Sequence, residues 1–172
     1  MADFPTPRDL IDRRDQINQE RNSKLQLELK VALYAYAEKY LIVSSTTGIA
    51  ESGEPMVLSF DVDDEELGTV VLNKLVDCYR APAPSYREHK LSDWRAFALS
   101  GAKTGRAFES SSIYISVETV NTALRVEACP RTPMSGIFVG KLHSVAASPE
   151  EIGSTIRAVI ASIKLLGDHN AL

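Results

Sequence analysis

Five carboxylates in six positions, Asp61, Asp63, Asp64, Glu65 and Glu66, make the densest chemical feature of the chain. Clusters of hard oxygen donors hold Mg²⁺ or Ca²⁺, which require several such ligands. The ordered spacing and closing glutamate of a calcium-binding helix–loop–helix are missing here. An apolar stripe, Leu67, Val71, Leu75 and Cys78, follows at helical spacing. In that place the carboxylates complement the positive end of a helix, each by about 0.3–1 kcal/mol. They also leave an anionic patch on which a basic partner can dock, and no metal is expected.

A second candidate is Ser100-Gly101-Ala102-Lys103-Thr104-Gly105-Arg106, where glycines, a lysine and a hydroxyl resemble a phosphate loop. A true loop of that kind places glycine directly before the lysine, so that backbone amides and ammonium converge on the phosphates. Ala102 occupies that place, which favours a turn with two solvated cations. Residues 80–106 carry six basic side chains against Glu88 and Asp93, a stretch that reads as a solvated face. His89, His143 and His169 lie too far apart for paired helical metal ligands. Cys78 and Cys129 read as reduced structural thiols, with nucleophilic catalysis beside a distant histidine as the alternative. Trp94 reads as a core anchor. There is neither a Gly-x-Ser-x-Gly elbow nor a Gly-x-Gly-x-x-Gly fingerprint. The expectation is a chain with no catalytic residues and no cofactor.

The elements that must carry these residues are legible in part. Thr6-Pro7 can open a helix, with Thr6 as its cap. The balanced charge and badly spaced Leu10, Ile11 and Ile17 predict that residues 1–30 form an exposed helical extension, with a partner-binding arm as the functional alternative. Residues 31–167 read as one globular domain and 168–172 as a flexible tail. Within the domain, Val31–Glu38 reads as a helix rich in Ala and Tyr. Tyr40–Thr46 and Met56–Asp61 read as strands, and a helix then runs from Asp63 to about Tyr79. Residues 80–90 form a proline-broken connection. Ser92 can cap a short helix bearing Trp94 and Phe97, and Gly101 and Gly105 loosen the chain after it.

Ser112–Glu118, Ala123–Glu127 and Gly136–Leu142 read as strands, with a loop at 130–135. Ser148-Pro149-Glu150-Glu151 combines a cap, a first-turn proline and a reciprocal glutamate. Ile152, Ile156, Val159, Ile160 and Ile163 then line one helical face, with Gly167 as the stop. The fold class is α/β or α+β: a mixed or antiparallel sheet of about five strands with helices packed on it.

The 172 residues, 44% of them hydrophobic, suffice for one core without disulfide staples. No apolar run approaches the ~20 residues of a membrane span, and the N-terminus lacks a basic-then-apolar leader. A cytoplasmic protein is expected. Its net charge of −4 disfavours general nucleic-acid binding and suits a basic protein partner.

Four blocks together resemble a known family. Asp61-Val62-Asp63-Asp64-Glu65-Glu66-Leu67-Gly68, Trp94…Phe97, Lys103-Thr104-Gly105-Arg106-Ala107-Phe108 before a Ser-rich strand, and Ser148-Pro149-Glu150-Glu151-Ile152-Gly153-Ser154-Thr155-Ile156-Arg157 look like the CdiI-type immunity proteins of bacterial contact-dependent growth inhibition. The likeness spans roughly residues 34–161. It implies a protein that binds and neutralises the C-terminal toxin domain of a cognate CdiA effector, often a nuclease, by stoichiometric occlusion. On the charge argument the interface candidates are Asp61, Asp63, Asp64, Glu65 and Glu66. The alternative is a type III secretion chaperone that holds an effector segment as a homodimer, with the terminal helix from Pro149 available for the dimer.

Overall fold

Two antiparallel meanders, joined edge to edge, make the sheet of this computed structural model, which describes residues 5–21, 28–45, 51–77, 94–130 and 137–168. The order of elements is α1 (Pro7–Arg21), β1 (Lys30–Tyr36), β2 (Lys39–Ser45), β3 (Glu51–Ser59), α2 (Asp64–Asp77), α3 (Arg95–Ser100), α4 (Gly105–Ser111), β4 (Ile113–Val120), β5 (Ala123–Pro130), β6 (Val139–His143) and α5 (Pro149–Asp168). The sheet order is β3-β2-β1-β4-β5-β6 and every pair is antiparallel. The class is α+β, with six strands rather than about five.

The additional strand is β1, where the sequence reads as a helix. Val31 to Ala35 are all buried, because β1 is central and covered on both faces. Such a strand shows a continuous apolar run instead of alternation, and periodicity cannot tell that run from a buried helix. The turn that follows, Ala37-Glu38, has φ of 47° and 60°. With Tyr36 paired to Lys39 it is a two-residue hairpin of the kind that matches strand twist. Neither residue is one that favours positive φ, so the strands impose the turn.

The core divides between the two faces. Val31, Leu33, Ile42, Ile115, Val117, Leu124 and Val126 meet Leu67, Val71, Leu72 and Leu75 of α2 and the five predicted isoleucine and valine positions of α5. On the opposite face Ala32, Tyr34, Leu41 and Val43 lie under Ala96 and Phe108 of α3 and α4, with Trp94 and Phe97 packed alongside. Trp94 is a core anchor, in ring contact with Tyr34, Phe97 and Phe108. The β4–β6 half of that face instead carries the ion pairs Lys30–Glu118, Arg125–Glu118 and Arg125–Glu127, and Phe138 and Leu142 near the β6 edge are exposed.

Three further readings are corrected. The helix α1 is not exposed: Leu10, Ile11 and Ile17 are buried, and Leu10 and Ile17 join the α2–α5 core. Arg14 and Asn18 occupy the same buried stripe, which hides its apolar period. Arg14 is satisfied there by Asp15 and by Glu28, 2.7 and 2.9 Å away. The stretch taken as loosened by Gly105 is helix α4, opened by Thr104, whose Oγ1 accepts the Ala107 N–H at 3.1 Å. The last helix passes Gly167 and ends at Asp168.

The α5 capping box forms as read. Ser148 N–H donates to Glu151 at 2.8 Å, and Glu151 N–H donates to Ser148 Oγ at 3.2 Å. Thr6 and Asp9 form the equivalent pair at α1. Cys78, Tyr79, the 80–90 connection, Ser92, His89, His169 and the loop at 131–135 lie outside the described residues.

Candidate functional site

The acidic stretch occupies the turn from β3 into α2 and the first turn of that helix. Asp61, Glu65 and Glu66 are exposed. Asp63, also exposed, is the helix cap: its Oδ1 accepts the Glu66 N–H at 2.7 Å. Asp64 is half-buried and faces inward, where its Oδ1 accepts from Nε of Arg157 on α5. The other two Arg157 nitrogens donate to the carbonyls of Phe60, at 2.7 Å, and Val62. One guanidinium thus fixes the whole turn, and its carbon lies 5.8 Å from the centre of the Tyr40 ring. Burial pushes the Tyr40 phenol up, with Arg157 opposing. Asp64 is a positioning group, and the carboxylates that face solvent are Asp61, Asp63, Glu65 and Glu66.

Two glycines bring the starts of α2 and α5 together. A Cβ on Gly68 would lie 2.5 Å from the carbonyl carbon of Pro149, and one on Gly153 would lie 2.7 Å from that of Asp64. Each helix therefore carries, near its start, the notch that receives the first residue of the other. The contact adds the exposed Glu150 and Glu151 of α5 to the acidic end of the molecule. Glu38 joins them from the β1–β2 hairpin, its carbonyl accepting the Phe60 N–H at 3.0 Å. Sequence reasoning missed these three carboxylates, because only the fold brings them beside residues 61–66. The Leu-Gly and Ile-Gly pairs were the local trace of the notch.

The other chemical candidates are dispersed. Thr104 caps α4, and Lys103 and Arg106 beside it are exposed. Arg95 reaches Glu54 at 3.2 Å. His143 is buried, its Nε2 2.9 Å from Thr155 Oγ1 on α5. Burial holds its imidazole below the usual histidine range, helped by Lys141 and opposed by Glu151. Cys129 is half-buried on β5 opposite Tyr114, on the face away from His143, which pairs with Leu124 five residues along the strand. Among the described residues no three potential metal ligands gather, and no helix is long and apolar enough to cross a membrane.

No protein-family model matches the chain, and no curated protein does either. Solved structures do. A protein of unknown function from Neisseria meningitidis superposes with a TM-score of 0.57 at 19% identity, over 81% of this chain and 98% of that one. A chain of the CdiA-CT/CdiI toxin and immunity complex from Yersinia pseudotuberculosis superposes with a TM-score of 0.53 at 16% identity, over 78% of this chain and 96% of that one. The likeness is one of fold.

Proposed function

We propose that this chain is an immunity protein that binds and neutralises the C-terminal toxin domain of a CdiA-type effector. The observation that carries the reading is the near-complete coverage of a chain from a toxin and immunity complex by this fold. The four sequence blocks that resemble the CdiI type lie at the starts of α2, α3, α4 and α5 of this chain. Inhibition is stoichiometric: the protein occludes its partner and catalyses nothing itself. Asp61, Asp63, Glu65 and Glu66, with Glu38 and Glu150 beside them, offer an acidic surface that steers association with a basic, nucleic-acid-cutting toxin. The homodimeric chaperone reading loses its main support, because the apolar face of α5 is committed to its own sheet.

The test is co-expression with the C-terminal domain of a large open reading frame adjacent to the gene. Expressed alone, this chain is expected to be harmless. Together the two are expected to restore growth and to copurify one to one. A toxic neighbour that is neither bound nor neutralised overturns the reading. Charge reversal of Glu65 and Glu66 then examines the interface: slower association and a shallower salt dependence are expected, and an unchanged rate removes the acidic surface from the contact.

A further inference from the structure

Glu51 is the only buried carboxylate among the described residues, 7% exposed. It opens β3 opposite Ser45 and reaches the face covered by α3 and α4, where its Oε2 accepts the Ala96 N–H at 3.0 Å. The short helix α3 needs that acceptor. Its cap position is held by Trp94, whose side chain makes no cap hydrogen bond. A neighbouring strand thus supplies the oxygen that serine, threonine or aspartate supplies at α1, α2, α4 and α5.

The other oxygen, Oε1, has no hydrogen-bond partner among the described residues. The nearest cation does not reach it. Arg95 on α3 turns its guanidinium to the Gly53 carbonyl and to Glu54. Lys30, in line on β1 beyond Ser45, holds Glu118 at 3.6 Å. Tyr34 on β1 and the Arg95 amide are the remaining polar groups packed on the carboxyl, and both hydrogen-bond it in the sense that favours the ionised form.

We infer that Glu51 is a proton-operated latch for the α3–α4 layer, which it holds more tightly with a neutral carboxyl than with a carboxylate. The reason is solvation. An ionised carboxylate seeks hydrogen-bond donors at both oxygens, and here Oε1 finds none among the described residues. The neutral group keeps the Ala96 hydrogen bond and sheds the cost of burying a charge. Burial accordingly pushes the Glu51 carboxyl above its ordinary range, against the pull of the Ala96 and Arg95 amides, Tyr34 and the Arg95 charge. A folded-state value raised in this way gives the layer its full hold below the ordinary carboxyl range. That hold is lost as pH rises through the raised value. The moving part is α3 with α4, linked through Gly101 at φ 75° and seated on Tyr34, Leu41 and Val43 by aromatic rings.

Trp94 is the single tryptophan and lies against this layer, so it reports on the latch. Acrylamide quenching of its fluorescence is measured from about pH 4 to pH 8 in the wild type and in Glu51→Gln, with far-UV circular dichroism alongside. In the wild type, quenching is expected to rise with pH through a one-proton transition centred above about 4.3, the value of an exposed glutamate. Glu51→Gln should stay at the low, acid-like level throughout. A flat wild-type profile overturns the latch, as does the same transition in the variant or a rise that coincides with loss of the helical signal. Should the variant not fold, exchange of the Ala96 amide in the wild type decides. Corrected for its intrinsic rate, its protection must fall over the same range, and constant protection overturns the latch.

Discussion

On one face of the sheet α2 and α5 begin at side-chain caps and interlock through two glycines. On the other, α3 and α4 are six and seven residues long and are held to the strands by aromatic rings. The first layer depends on backbones lying so close that a single methyl group does not fit. The second depends on bulk, with Phe108 in ring contact with Tyr34, Tyr36, Trp94 and Phe97, and on one buried carboxylate. Close backbone contact is stiff and intolerant, whereas ring packing around short helices can yield locally. The acidic surface proposed for toxin contact is built on the stiff layer, where Arg157 and the glycine notches hold its geometry before any partner arrives.

Substitutions can break this contrast. Gly68→Ala is expected to have the largest effect, because the new Cβ meets the Pro149 backbone rather than a side chain that can turn aside. The helices must separate, at a cost of at least about 4 kcal/mol, an exceptional value for one methyl group. Urea denaturation measures it, and a loss under about 1 kcal/mol would show that the layer is not rigid. Phe108→Ala removes the centre of the second layer and should cost about 3 kcal/mol. Its signature should also differ, with Trp94 emission shifting at lower urea than the far-UV signal. Coincident transitions would mean that the two layers are equally cooperative.

Ser148→Ala removes one half of the α5 capping box and should cost about 1 kcal/mol in the same assay. The smallest effect is that of pH at His143, where β6 meets α5. Its imidazole is held below the ordinary value by burial, so the unfolded chain takes up the proton first. The stabilisation is whole above about pH 6.5 and is lost as pH falls below it. This is opposite in sign to the response expected at Glu51. Comparing urea midpoints at pH 7.5 and about pH 5.5 in the wild type and in His143→Gln checks it: the acid loss should shrink in the variant.

What was legible in the sequence follows the range of the interactions. The cap at Thr6 and the capping box at Ser148 involve residues three apart, and both form as read. The apolar stripes of α2 and α5 are periodic within one helix, and their described residues are buried. The helix α1 was misread because Arg14 and Asn18 fill its buried stripe and are satisfied only by the tertiary fold. The strand β1 was misread because burial on both faces erases its alternation. At the candidate site, residues 61–66 announced themselves by charge. The inward turn of Asp64 depends on Arg157, 93 positions away, and the contributions of Glu38 and Glu150 depend on the meeting of three elements.

The seam between β1 and β4 carries a kinetic consequence. Each meander starts with a two-residue hairpin, β1–β2 in one and β4–β5 in the other, and can form early from near neighbours. The seam joins Lys30 to Glu118 and is extended by Thr119, whose N–H donates to Leu29 and whose hydroxyl accepts the Leu29 N–H at 2.9 Å. All of α2, α3 and α4 lies in the intervening loop, so closing the seam carries the main chain-entropy cost and sets the pace of folding. Until it closes, β1 and β4 are both bare edges, the apolar centre of the mature sheet is open to other copies, and this is the step at which aggregation is expected.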